Sequence, residues 1–309
     1  MKRKINKAGP STLTISLPKK WARAHNLRPG DELEIVENHH CIKFCTKESI
    51  KDEVAKIKLT KPKRLTSRSL FNLYRKGVEE IEIYFEDPLA LKDIQAMLPL
   101  LMGFEMIDEE PNYVKVASIM KIDESKFDDT LKRLFYVTKI LAEQSYKAIE
   151  EKEYEKLEGV AELEVIQNKY YMFLCRVINQ KGKYLFEHPT LRYLLVQRLE
   201  DLADDYKYIC RFVSERKKPS FSKVALKYYR EVNELMYQLN NFYFEPSNEI
   251  GKVIIEGKKQ LTRKGLDLLE KVDRKEVRLI FLLTNIVVKI YESASPIFGI
   301  HSEKLSEDF

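Results

Sequence analysis

The residues with the most chemistry to offer stand at the start of the chain. Lys2, Arg3, Lys4, Lys7, Lys19, Lys20, Arg23 and Arg28 put eight positive charges into the first thirty residues, with no Asp or Glu among them. The chain of 309 residues carries a net charge of only +6, so everything after residue 30 is net negative. A cationic block on an otherwise near-neutral molecule suits a phosphate-bearing partner. A second group is Glu200 with Asp204. Four residues apart on a helix, their carboxylates share one face, away from the apolar stripe, where they could hold a cation. A hard cation wants about six or more oxygens, and Lys207 and Arg211 lie on or near the same face. The residues themselves therefore favour ordinary surface ion pairing there.

Other constellations are weaker. His39, His40, Cys41 and Cys45 invite zinc, but zinc-binding Cys pairs sit closer together in a loop, with a second pair elsewhere. Cys175 and Cys210 stand alone on separate helical segments and read as core fillers. There is no Ser/His/Asp or Cys/His set with local support, no phosphate-cradling glycine loop and no dinucleotide fingerprint. An enzyme is not expected.

The elements that must position these groups follow from the pattern. Ser11 to Leu17 alternates with period two, predicting a half-buried strand with Leu13, Ile15 and Leu17 inward. Pro18 ends it and starts a short helix, Lys19 to about Asn26, anchored by Trp21. Arg28-Pro29-Gly30-Asp31 predicts a turn, then come strands at Leu33–Ile35 and, beyond a turn near Asn38 and His39, Cys41–Cys45. Fewer than fifty residues of this kind cannot bury a core alone.

Lys4-Ile5-Asn6-Lys7-Ala8-Gly9, Leu13-Thr14-Ile15-Ser16-Leu17-Pro18-Lys19 and Leu27-Arg28-Pro29-Gly30-Asp31-Glu32-Leu33 together resemble the AbrB/SpoVT/MazE family of swapped-hairpin DNA-binding domains. The resemblance covers about residues 1–46. It implies two chains exchanging hairpins to close one β-barrel, which resolves the core-size problem. It also implies a homodimer that binds double-stranded DNA through Lys2, Arg3, Lys4, Lys7, Lys19, Lys20 and Arg23.

Residues 47–122 read as an α+β connector. Its predicted order β-α-β-α-β-β includes helices from Leu65 to Lys76, closed by Gly77, and from Pro88 to about Leu101, and is compatible with a ferredoxin-like unit. A spacer or dimer-interface role fits it best. Residues 123–309 read as all-α. Six amphipathic segments fall into two three-helix repeats, about 126–218 and 219–295. The second segment is expected to bury Leu163, Ile166, Tyr170, Leu174 and Val177. The third is expected to bury Leu191, Leu195, Leu199, Leu202, Tyr206, Ile209 and Val213, and the last to be buried nearly all round.

Arg198-Leu199-Glu200-Asp201-Leu202-Ala203-Asp204-Asp205 is similar to the acidic signature of PhoU proteins, phosphate-uptake regulators built from two three-helix repeats. That resemblance implies a divalent or trivalent metal ion on Glu200 and Asp204. Phe281 and Asn285 replace the motif in the second repeat. Taken together, the readings predict a cytoplasmic, dimeric DNA-binding regulator of phosphate uptake with a helical sensing module. The alternative is an adaptor that dimerises by the barrel and docks on a phosphate transporter ATPase or a sensor protein. The longest uncharged apolar run, Leu279 to Val288, is too short to span a membrane, so no membrane insertion is expected.

Overall fold

The computed structural model describes residues 2–38, 41–45, 54–59, 64–120, 125–216 and 219–306. The turn at His39 and His40, Pro62, and the break at Lys217 and Lys218 lie outside the described residues. The chain divides into two units, Met1–Asp52 and Glu53–Phe309.

In the first unit, strand β1 (Ile5–Lys7) pairs antiparallel with β2 (Leu13–Ile15), placing Ile5 opposite Ile15. The connecting turn is closed by the Ala8 N–H donating to the Thr12 carbonyl at 2.8 Å. Gly9 supplies the positive φ of 85° that this turn needs. Pro18, extended and lacking an N–H, hands the chain to helix α1 (Lys19–Ala24). Asn26, at φ 53°, reverses the chain, and the Leu27 N–H reaches back to the Ala22 carbonyl at 2.9 Å. The expected turn forms at Arg28–Asp31. Asp31 N–H donates to the Arg28 carbonyl at 3.1 Å, the Asp31 side chain accepts from the Arg28 N–H at 2.7 Å, and Gly30 carries φ 97°. Strands β3 (Glu34–Asn38) and β4 (Cys41–Cys45) pair antiparallel, with Ile35 opposite Phe44.

Two expectations change here. Strand β2 is only three residues long, and Leu13 and Ile15 are not inward: they are 68% and 47% exposed. Among the described residues the sheets are two separate two-stranded pairs, not a closed barrel. The reason is size. Among the residues of this unit whose side chains are described, none is buried, because a single copy has nothing to bury them against.

The second unit begins with a four-stranded sheet built from β5 (Val54–Leu59), β6 (Glu80–Phe85), β7 (Phe104–Glu110) and β8 (Tyr113–Ser118), in the order β5-β6-β8-β7. Helix α2 (Arg64–Lys76) joins β5 to β6, and α3 (Leu89–Met97) follows β6. The element order matches the expectation, but the topology is not ferredoxin-like. β5 and β6 are adjacent and parallel, which needs a crossover connection, and α2 is that crossover.

Six long helices follow: α4 (Lys126–Glu150), α5 (Leu157–Leu185), α6 (Pro189–Ser214), α7 (Lys223–Phe244), α8 (Asn248–Leu269) and α9 (Val277–Ile300). α4, α5 and α6 pack on one another, as do α7, α8 and α9, and the trios meet where α6 touches α9 and α4 touches α7. The Ser222 and Ser247 hydroxyls cap α7 and α8, accepting from Ala225 N–H and Ile250 N–H at 3.2 and 3.3 Å. On α6 the predicted stripe is buried from Leu195 to Val213, with Leu191 half-buried. On α5 the register differs: Ile166 is exposed, while Glu164 and Gln167 are buried. Both have polar partners inside the bundle. Glu164 pairs with Lys207 at 2.8 Å, and Gln167 donates to the Leu199 carbonyl at 3.1 Å.

The sheet and the helices share one unit because α5 caps α2. Gly77, at φ 102°, ends α2, with Gly77 N–H donating to the Tyr74 carbonyl and Val78 N–H to the Leu73 carbonyl. The Arg176 guanidinium donates to the Tyr74 and Val78 carbonyls at 3.0 and 2.7 Å, and Asn179 donates to the Arg75 carbonyl at 2.7 Å. Arg176 is 1% exposed. It lies over the Tyr74 and Phe104 rings and pairs with Glu79 at 3.1 Å. A cation at the negative end of α2 is the favourable sign.

Candidate nucleic-acid interface

Lys2, Arg3, Lys4, Lys7, Lys19, Lys20 and Arg23 are all exposed. They come from three places. Lys2, Arg3 and Lys4 precede β1, Lys7 ends it, and α1 carries the other three within five residues, with Lys19 and Arg23 one helical turn apart. The opposite side of α1 leans inward through the half-buried Trp21, whose ring lies 5.1 Å from that of His25. None of the seven forms an ion pair among the described residues. Their charge is therefore directed to solvent, the condition under which phosphate binding releases counterions.

The β1–β2 register adds an apolar component. Ile5, Lys7, Leu13 and Ile15 share one face of the hairpin, and Ile5 is 67% exposed. Lys7 therefore borders an uncovered apolar strip, while Asn6 and Thr14 occupy the opposite face.

Glu200 and Asp204 do lie on one side of α6, but the structure fills their surroundings with ammonium. Lys207 bonds to Asp204 and to Glu164 and is itself buried. Glu200 accepts from Gln197 at 3.0 Å. Burial, then Asp204 and the other nearby carboxylates, push its pKa up to about 7. One face of the cluster is thus committed to Lys207, and the remaining carboxyl binds a proton near neutrality. Lys207 already takes the Asp204 and Glu164 carboxylates, and among the described residues no group of three or more His, Cys, Asp or Glu side chains is placed to hold a metal ion. Glu164, 36 residues upstream of Glu200, was invisible to local spacing, because only helix packing brings it to Lys207.

The next residue, Asp205, points instead to α9. It accepts from Asn285 at 2.8 Å and pairs with Lys289 at 2.8 Å. Asn285, at the place of the missing second acidic motif, therefore fastens the two trios together. Cys175 and Cys210 are buried, and burial pushes both thiols up to about 12, so neither is a reactive thiolate.

Residues 8–40 match the family model of MazE antitoxins, described as antidote-toxin recognition MazE, bacterial antitoxin. The chain thus carries a MazE/AbrB-type domain in its first unit, ahead of a mainly helical body. No curated protein and no solved structure matches the chain. No helix among the described residues is long and apolar enough to cross a membrane.

Proposed function

We propose that the protein is a dimeric DNA-binding regulator. Two first units complete one another over Ile5, Leu13 and Ile15, and the doubled set of Lys2, Arg3, Lys4, Lys7, Lys19, Lys20 and Arg23 grips the phosphates of double-stranded DNA. The observation that carries this reading is the conjunction, on a MazE/AbrB-type domain, of seven solvent-directed cations with an apolar strip that no described residue of the same unit covers. In this reading the second unit senses or relays a signal and has no catalytic role. The support for phosphate uptake as the regulated process is the similarity of the 198–205 segment to the PhoU acidic signature, in which Asp204 is paired with Lys207.

The test is duplex-DNA binding over a salt series, comparing wild type with the Lys4→Ala/Lys7→Ala/Arg23→Ala variant. A regulator gives a steep salt slope, with log affinity falling by about 0.9 per phosphate contacted, and a flatter slope in the variant. Negligible, salt-insensitive binding favours the second reading, a dimeric adaptor that recognises a partner protein such as a transporter ATPase. The description of the matched family, which names toxin recognition, is what favours that alternative.

A further inference from the structure

A cavity of about 490 Å³ opens in the second unit between one end of the sheet and helices α4 and α5. That volume is in the range of small-molecule sites, roughly 300–1,000 Å³. Met102, leading into β7, and Met120, following β8, form one wall, and Phe173 of α5 forms another. Two thioethers and a ring make a polarisable, adaptable apolar surface.

The charges around it are one-sided. Arg133 and Lys126 of α4 and Lys169 and Arg176 of α5 line the cavity, against a single acid, Asp129. Asp129 already lies 3.6 Å from Lys132. Arg133 and Lys169 form no ion pair among the described residues. Arg176 is held by the Tyr74 and Val78 carbonyls and neutralised by Glu79, so the cations offered to a ligand are Arg133 of α4 and Lys169 of α5.

We propose that this cavity binds a small organic anion whose acidic group meets Arg133 and Lys169 and whose apolar or aromatic body lies against Met102, Met120 and Phe173. The site is independent of the DNA-binding reading and stands if that reading fails. It was hidden in the sequence, since its two walls come from the α+β segment and from helices up to 74 residues further on.

The test titrates the full chain with anilinonaphthalene sulfonate and, in parallel, with phenylnaphthylamine, which has the same rings and no charge. The sulfonate probe should saturate one site per chain. Arg133→Ala/Lys169→Ala should weaken it about tenfold, while the neutral probe shifts less than about twofold. Arg133→Lys/Lys169→Arg should restore most of the affinity, and Lys139→Ala, elsewhere on α4, should leave it unchanged. Both substituted side chains are solvent-accessible, so an unchanged thermal transition confirms that the variant is folded. The proposal is overturned if no saturable site is found, if the double variant binds the sulfonate probe as wild type does, or if both probes weaken equally.

Discussion

The two units of this chain solve the problem of a hydrophobic core in opposite ways. The second unit has a core of its own: Leu199, Tyr206, Tyr228 and Ile290 are inaccessible to solvent. It also satisfies buried polar groups internally, as with Tyr206 donating to Asn233 at 2.9 Å. The first unit leaves Ile5, Leu13 and Ile15 in solvent and buries none of the residues whose side chains are described. With a self-sufficient body and an unfinished one on the same chain, the proposed function confines assembly, and with it DNA binding, to the unfinished end. Substitutions should therefore separate cleanly into those that change stability and those that change assembly.

The largest expected effect is on the α2–α5 clasp. Arg176→Ala leaves the Tyr74 and Val78 carbonyls without their donor and Glu79 without its cation. Glu79 is partly exposed and keeps Gln180 as a partner, so the cost stays below that of a fully buried pair, about 2–3 kcal/mol, which urea unfolding of the second unit would register. DNA affinity at low temperature should be unchanged, and a parallel loss of DNA binding would break the separation. Gly77→Ala acts on the same joint. An added Cβ would meet Gln180 at φ 102°, and the expected cost is about 1–2 kcal/mol in the same measurement.

The next effect has a pH sign. Burial, reinforced by the neighbouring Asp204 carboxylate, raises the Glu200 carboxyl from its ordinary value of 4.5 to about 7. The folded state holds its proton more tightly than the unfolded chain does. Stability from this group is therefore greatest below about pH 4.5 and falls as pH rises towards 7. Glu200→Gln removes that slope and should stabilise the protein at pH 8 by about 1–2 kcal/mol, after discounting for the group's partial exposure. Unfolding curves at pH 5 and pH 8 check both statements. The same series can include Glu200→Ala/Asp204→Ala, analysed for metal after purification without chelator. Equal metal content in variant and wild type is expected.

The smallest change in stability belongs to the other side of the comparison. Leu13→Asp/Ile15→Asp alters exposed positions, so unfolding of the second unit should move by less than about 0.5 kcal/mol. Its effect should appear in sedimentation instead, as conversion of dimer to monomer.

How far the sequence disclosed this arrangement differs between the same two regions. In the first unit local chemistry was enough: Pro18 opens α1, and Arg28-Pro29-Gly30-Asp31 forms its turn. What alternation could not show was that Leu13 and Ile15 face solvent, because periodicity reports a face and not what covers it. In the second unit the α6 stripe was legible, since its positions from Leu195 to Val213 all join the apolar core. The α5 register was not, because Glu164 and Gln167 are buried through partners 43 and 32 residues away. The order β-α-β-α-β-β was readable too, whereas the parallel β5–β6 pairing was not, since strand order is a property of the assembled sheet. At the acidic motif, spacing brought Glu200 and Asp204 to one face but concealed that Lys207 turns inward between carboxylates from two helices.

The central claim is that two unfinished first units complete one another to present a shared cationic surface to DNA. Sedimentation equilibrium of the full chain, with a twenty-base-pair duplex at low salt, tests it most directly. Two chains per duplex, reverting to unbound monomers in the Leu13→Asp/Ile15→Asp variant, is the predicted result. One chain per duplex, or a variant that binds DNA as a monomer with unreduced affinity, would contradict it.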